Sequence, residues 1–169
     1  MISPSLIDNE SFDIDDSEDI LGLVKGLVNG HHPGILCTVD AQGSPAVRWM
    51  STLAFDEFPV FYTLTSPTSR KVAQIQAHPA VNWMFSNADR SLILNLRGHA
   101  RVLTETRTLK RVWKQVEDKS HAYFLQRYAK GPGFLVIETT VDAIECTSPQ
   151  NGLKFAVTPD ELAVSHQAG

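Results

Sequence analysis

Cysteine is scarce in this chain. There are two among 169 residues, Cys37 and Cys146, each inside an apolar, strand-like run. Lone thiols without C-x-x-C spacing argue against a zinc site and a disulfide scaffold, so both are expected to be buried thiols. No G-x-S-x-G elbow, Walker loop or H-E-x-x-H pair occurs, which removes several hydrolase, NTPase and metalloprotease readings. Of the six histidines, His31-His32 precedes Pro33-Gly34 without a third ligand at metal spacing, and no metal site is expected. Long apolar runs are missing, and the start is acidic rather than signal-like, so a cytoplasmic protein without a membrane partner is expected. A strongly basic face is missing too, which excludes nucleic acid as the expected partner. Net charge is −4, but residues 1–20 hold seven acids and no base, and the remainder carries 15 bases against 12 acids. A mildly cationic body suits a small anionic ligand.

What is present describes one ordinary folded domain, 43% apolar and 20% charged. Residues 1–16 read as an acidic N-terminal arm, 17–147 as the folded domain and 148–169 as a C-terminal tail. Ile20, Leu23, Val24, Leu27 and Val28 recur at helical spacing and predict a one-sided helix ended by Asn29-Gly30. Strands are expected over 35–39 and 46–53, joined by the Asp40-Ala41-Gln42-Gly43-Ser44-Pro45 turn, then over 60–64, 81–85, 92–103 and 134–146. Residues 92–103 alternate, with Leu94, Leu96 and Ala100 on one face and Arg97, His99 and Arg101 on the other. Gly98 within that run predicts a bulge or a close backbone approach. Residues 69–77 read as a short helix, and 106–128 as a helix broken near Asp118-Lys119-Ser120. Trp49, Trp83 and Trp113 are expected in the core or at a dimer interface. Six mainly antiparallel strands with peripheral helices predict a small β-barrel.

The stretch from Phe61 to Ile75 carries the chemistry. It reads as a strand, a Ser66-Pro67-Thr68 turn, and a helix whose first turn holds Arg70 and Lys71. A helix N-terminus has roughly +0.5 charge and about four unpaired N–H donors, so acids belong there and cations do not. Arg70 and Lys71 make sense beside an anion, for which a phosphate monoester is the usual occupant. Thr63, Thr65, Ser66, Thr68 and Ser69 would add hydroxyl donors. The plainer alternative is a solvated turn leading into a charged surface helix.

Arg48, then Phe61-Tyr62-Thr63, Ser69-Arg70-Lys71, His78-Pro79-Ala80-Val81 and Arg97-Gly98-His99-Ala100-Arg101-Val102, in this order, resemble the pyridoxamine 5′-phosphate oxidase superfamily over roughly residues 20–147. The helical 106–128 segment and short C-terminus resemble its general stress protein branch. The resemblance implies a six-stranded antiparallel split β-barrel that forms a homodimer and binds FMN at the interface. It implies that Arg70 and Lys71 hold the FMN phosphate with Ser69, that Tyr62 and Thr63 line the same end, and that Arg48 approaches the phosphate or ribityl chain. Trp49, Met50 and Ser51 would run beneath the isoalloxazine ring.

The chain departs from the family pattern at Leu53, where a Lys is usual, and at Leu64, where an Asn follows the F-Y-T segment. It has no Arg after Arg127. These departures argue against true pyridoxamine 5′-phosphate oxidase activity. The implied function is an FMN-dependent oxidoreductase with a stress-related role and a small-molecule electron donor or acceptor. The alternative is a non-catalytic flavin- or haem-binding stress or sensor protein.

Overall fold

The computed structural model describes residues 17–29, 33–119, 122–129, 133–149 and 152–167. The expected arm at 1–16 and the His31-His32 pair lie outside the described residues. Helix α1 (Ser17–Val28) turns Val24, Leu27 and Val28 into the core, as its spacing requires. Its terminal Val28 carbonyl accepts a hydrogen bond of 2.7 Å from the buried Thr52 hydroxyl, which satisfies one of the acceptors a helix end leaves over.

Strands β1 (Gly34–Val39) and β2 (Pro45–Met50) form the expected hairpin. The Asp40 carboxylate accepts from the backbone N–H groups of Gln42 and Ser44 at 2.9 and 2.8 Å. Gly43 takes a φ of 84°, which a side chain would oppose. There follow β3 (Val60–Thr65), α2 (Arg70–Ala77), β4 (Ala80–Ser86), β5 (Ile93–Leu103), α3 (Thr106–Asp118), α4 (Ala122–Tyr128), β6 (Leu135–Ser148), β7 (Leu153–Val157) and α5 (Pro159–Gln167). The fold is mainly β: one open, antiparallel, seven-stranded sheet in the order β2-β1-β4-β5-β6-β3, with β7 also on β6.

Strand β6 explains that arrangement. One edge pairs with β5 along its length; the other pairs with β3 at its start and with β7 at its end. The β5–β6 register slips between Arg97 and Gly98, leaving Asp142 as the extra residue. A Cβ on Gly98 would collide with the Thr140 backbone carbonyl, so both halves of the Gly98 expectation hold. Strand β7 and helix α5 come from the tail, whose pattern gave no assignment. Phe155 and Leu162 carry that tail into the main core.

The second strand stops at Met50 instead of continuing to Leu53. The chain leaves the sheet there, and Leu53 pairs with Tyr62 of β3 in a lone bridge whose N–H···O contacts are 2.7 and 2.9 Å. Two apolar clusters result. The larger lies between α1 and the sheet and centres on Trp83, which meets Phe61 edge-on with centroids 5.2 Å apart and donates its indole N–H to Thr139 at 3.2 Å. The smaller joins Leu53, Tyr62, Leu64 and Val136 to Val112 and Val116 of α3 and Phe124 of α4. Cys146 is buried, and its thiol is pushed up to about 11 by desolvation. Cys37 is only half-buried, a correction: it lies on the β1 face opposite Leu36 and Thr38, which are both fully buried. Among the described residues, no helix is long and apolar enough to cross a membrane.

Candidate functional site

Three segments converge on a cleft of about 470 Å³: residues 48–51 at the end of β2, the β3–α2 turn with Lys71, and helix α4. Each is held by a specific bond. The Thr63 hydroxyl donates to the Ser51 carbonyl at 2.6 Å, fixing the chain where it leaves the sheet. The Tyr128 hydroxyl donates to the Leu64 carbonyl at 3.4 Å, tying the end of α4 to β3. Ser69 occupies the cap position of α2 with extended backbone, yet its side chain does not cap the helix. Its hydroxyl instead accepts from Lys71 Nζ at 2.6 Å, and Lys71 also donates to Thr65 Oγ1 at 3.1 Å. The Ser66 and Thr68 hydroxyls lie 3.1 Å apart in the same turn.

Arg48 is pinned from the opposite hairpin strand. It donates to Thr38 Oγ1 at 2.6 Å and to Gln74 Oε1 at 2.9 Å, and Thr38 donates to the same Gln74 oxygen at 2.7 Å. Both partners are neutral. Burial lowers the Arg48 pKa from the ordinary arginine value, Cys37 works against that, and the neighbouring Arg70 charge lowers it further, while the guanidinium keeps its charge. Burial lowers Lys71 from the ordinary lysine value, and the Arg48 charge adds to the effect. The Arg48 charge is thus near enough to repel both Arg70 and Lys71. Among the described residues, none of the three forms an ion pair with a carboxylate. Among the described residues, no Asp or Glu lines the cleft, and the first turn of α2 holds no acid.

Like charges beside a positive helix end are unfavourable until an anion joins them. The chemistry of this donor set, two guanidinium groups, an ammonium, several hydroxyls and an uncapped helix start, fits a phosphate monoester.

Of the residues expected at the site, Arg48, Trp49, Met50, Ser51, Ser69 and Lys71 line the cleft together. Arg70 is exposed at the first position of α2 and does not itself line it. Tyr62 and Thr63 point elsewhere. The Tyr62 ring stacks on Phe55, and its hydroxyl donates to Glu57 Oε2 at 2.5 Å and accepts from Arg111 at 3.2 Å. Thr63 acts through Ser51, as above. Sequence reasoning missed Thr38 and Gln74, which hold Arg48, and Tyr123, Phe124, Arg127 and Tyr128 of α4. The aromatic and basic make-up of α4 was visible, but its docking at Leu64 was not. Trp113 lines a separate apolar groove of about 260 Å³ with Leu109 and Phe134.

The pyridoxamine 5′-phosphate oxidase family matches residues 22–148 of this chain. The chain belongs to that family. Members generally bind a flavin, some bind haem, and they are commonly dimeric. Solved structures share the fold. A Clostridium acetobutylicum protein related to general stress protein 26 superposes with a TM-score of 0.68 at 16% identity, over 89% of this chain and 99% of that one. General stress protein 26 from Bacillus anthracis gives 0.61 at 18% identity, over 82% and 98%. An F420 reductase gives 0.54 at 20% identity, over 71% and 94%. No curated protein matches the sequence.

Proposed function

We propose that this protein binds FMN and works as a flavin-dependent oxidoreductase on a small molecule, as a dimer in the cytoplasm with a stress-related role. The observation that carries the reading is the group formed by Arg48 of β2 with Arg70 and Lys71 in the first turn of α2, three cations that form no ion pair with a carboxylate among the described residues. Arg70, Lys71 and Ser69 would take the FMN phosphate, and Arg48 would reach the phosphate or ribityl chain. Trp49, Met50 and Ser51 would lie along the ring system, while Tyr62 and Thr63 support that end from behind. FMN supplies the hydride and electron chemistry, and the protein supplies position and a shaped pocket.

The test compares FMN with riboflavin, which lacks only the phosphate. The double change Arg70→Ala, Lys71→Ala is expected to weaken FMN by at least ~100-fold and to leave riboflavin nearly unchanged, since two charge-assisted contacts are lost. Equal losses for both ligands would make the pair structural, and unchanged FMN affinity would remove the phosphate assignment. Turnover is read separately, from the absorbance spectrum of the purified protein and its anaerobic reduction by NADH or NADPH. A Soret band would replace the flavin reading with haem. Bound flavin that neither nucleotide reduces would favour a binding-only role. Pyridoxine and pyridoxamine 5′-phosphates are expected to be poor substrates, because Leu53 is buried where the family pattern has Lys.

A further inference from the structure

Arg48 is held by two side chains that stand behind the cleft. Thr38 on β1 is fully buried and Gln74 on α2 is half-buried, and neither lines the cleft. The three side chains close a ring. Arg48 donates to Thr38 Oγ1 and to Gln74 Oε1, and Thr38 donates to that same amide oxygen. The only charge in the ring is that of Arg48.

The position of Gln74 makes its neutrality informative. It lies four residues after Arg70 and three after Lys71, the two spacings at which side chains meet on a helix. An acid there would pair along the helix with Arg70 or Lys71 and across to Arg48. Glu matches Gln in length and offers an oxygen to the same two donors, so the hydrogen bonds alone do not select the amide. A cation withdrawn from water ordinarily takes a carboxylate partner. Gln74 holds the geometry of such a pair and withholds the charge.

We propose that Gln74, backed by Thr38, is a positioning residue that fixes the Arg48 guanidinium at the cleft and leaves its charge uncompensated, so that the charge is kept for an anionic ligand. The inference rests on the FMN reading for the identity of that anion. It goes beyond that reading in assigning a role to a residue outside the cleft.

The test is Gln74→Glu in the full chain, alone and combined with Arg48→Ala. Without ligand, Gln74→Glu is expected to raise the melting temperature by about 2 °C, because a carboxylate relieves the repulsion among the cations. FMN affinity should meanwhile fall about tenfold, with riboflavin within about twofold of wild type. A purely structural defect lowers stability and weakens both ligands together, so the opposed signs report the charge. In the Arg48→Ala background the FMN loss caused by Gln74→Glu should shrink below about threefold. Gln74→Leu, which frees the guanidinium without adding charge, should weaken FMN about threefold and lower the melting temperature. A fall in melting temperature in Gln74→Glu would overturn the proposal, as would equal losses for the two flavins or a tenfold loss that persists without Arg48. If wild type does not distinguish FMN from riboflavin, the FMN reading fails by itself, and inorganic phosphate replaces FMN as the probe. A phosphate-induced rise in melting temperature that Gln74→Glu removes then sustains the role of Gln74, and any other result ends it.

Discussion

Lys71 is the residue whose chemistry is most open to measurement. Burial and the Arg48 charge hold its pKa below 10.5, so in the ligand-free fold its proton is lost earlier than in the unfolded chain. In the window below 10.5 the unfolded state therefore binds more protons, and ligand-free stability rises with pH there. A bound phosphate reverses the sign, because it favours the charged amine. FMN affinity is thus expected to fall as pH rises through that lowered pKa, on the acid side of the ordinary lysine value, while riboflavin binding stays level. Lys71→Arg should flatten that decline, since guanidinium keeps its charge. An FMN titration with the same slope in both proteins would contradict this account. Tyr62 gives a second reading. Burial raises the Glu57 carboxyl, but hydrogen bonds from Tyr62 and Arg111 outweigh it and leave Glu57 below the ordinary range. Tyr62→Phe is expected to lower stability by about 1 kcal/mol in denaturant titrations and to leave FMN affinity unchanged. A large loss of FMN would put the Tyr62 hydroxyl at the ligand.

Strands β5 and β6 meet where backbone touches backbone. Gly98 faces the Thr140 carbonyl, and no side-chain rotation can make room there. Gly98→Ala is therefore expected to lower stability by about 1–3 kcal/mol, measured as a fall in the denaturant midpoint. A change within experimental scatter would mean the two strands can part at the bulge without cost. The alternation over 93–103 was legible because burial on one face imposes a period of two. The end of β2 was not legible. Trp49, Met50, Thr52 and Leu53 all read as strand, and what stops β2 is Leu53 pairing with Tyr62 of a later strand. Strand β7 was likewise unreadable, since its five residues pair only with the last stretch of β6.

The open sheet leaves β2 at an edge, with Val47 and Trp49 on its outer face at 64% and 68% exposure. An exposed apolar edge invites a partner, and a second copy is the common solution. Light scattering is expected to report the mass of two chains at micromolar concentration. Val47→Glu with Trp49→Glu should shift that mass to one chain and weaken FMN at the same time, because residues 48–51 line the cleft. A double variant that stays dimeric would place the interface elsewhere.

Local chemistry written in the chain fixed the hairpin at Asp40 to Ser44, the stripe of α1, the alternation of β5 and the cationic start of α2. Each depends on residues within about ten positions of one another, where periodicity and turn propensity act directly. The order of motifs that marks the family, from Arg48 to Val102, was legible in the same way. The sharing of β6 between β3 and β7 and the pinning of Arg48 by Thr38 and Gln74 join segments far apart in the chain, as does the seating of α4 over the cleft. Those contacts form because buried polar groups must find partners and apolar faces must be covered, and which partner lies within reach is settled by packing.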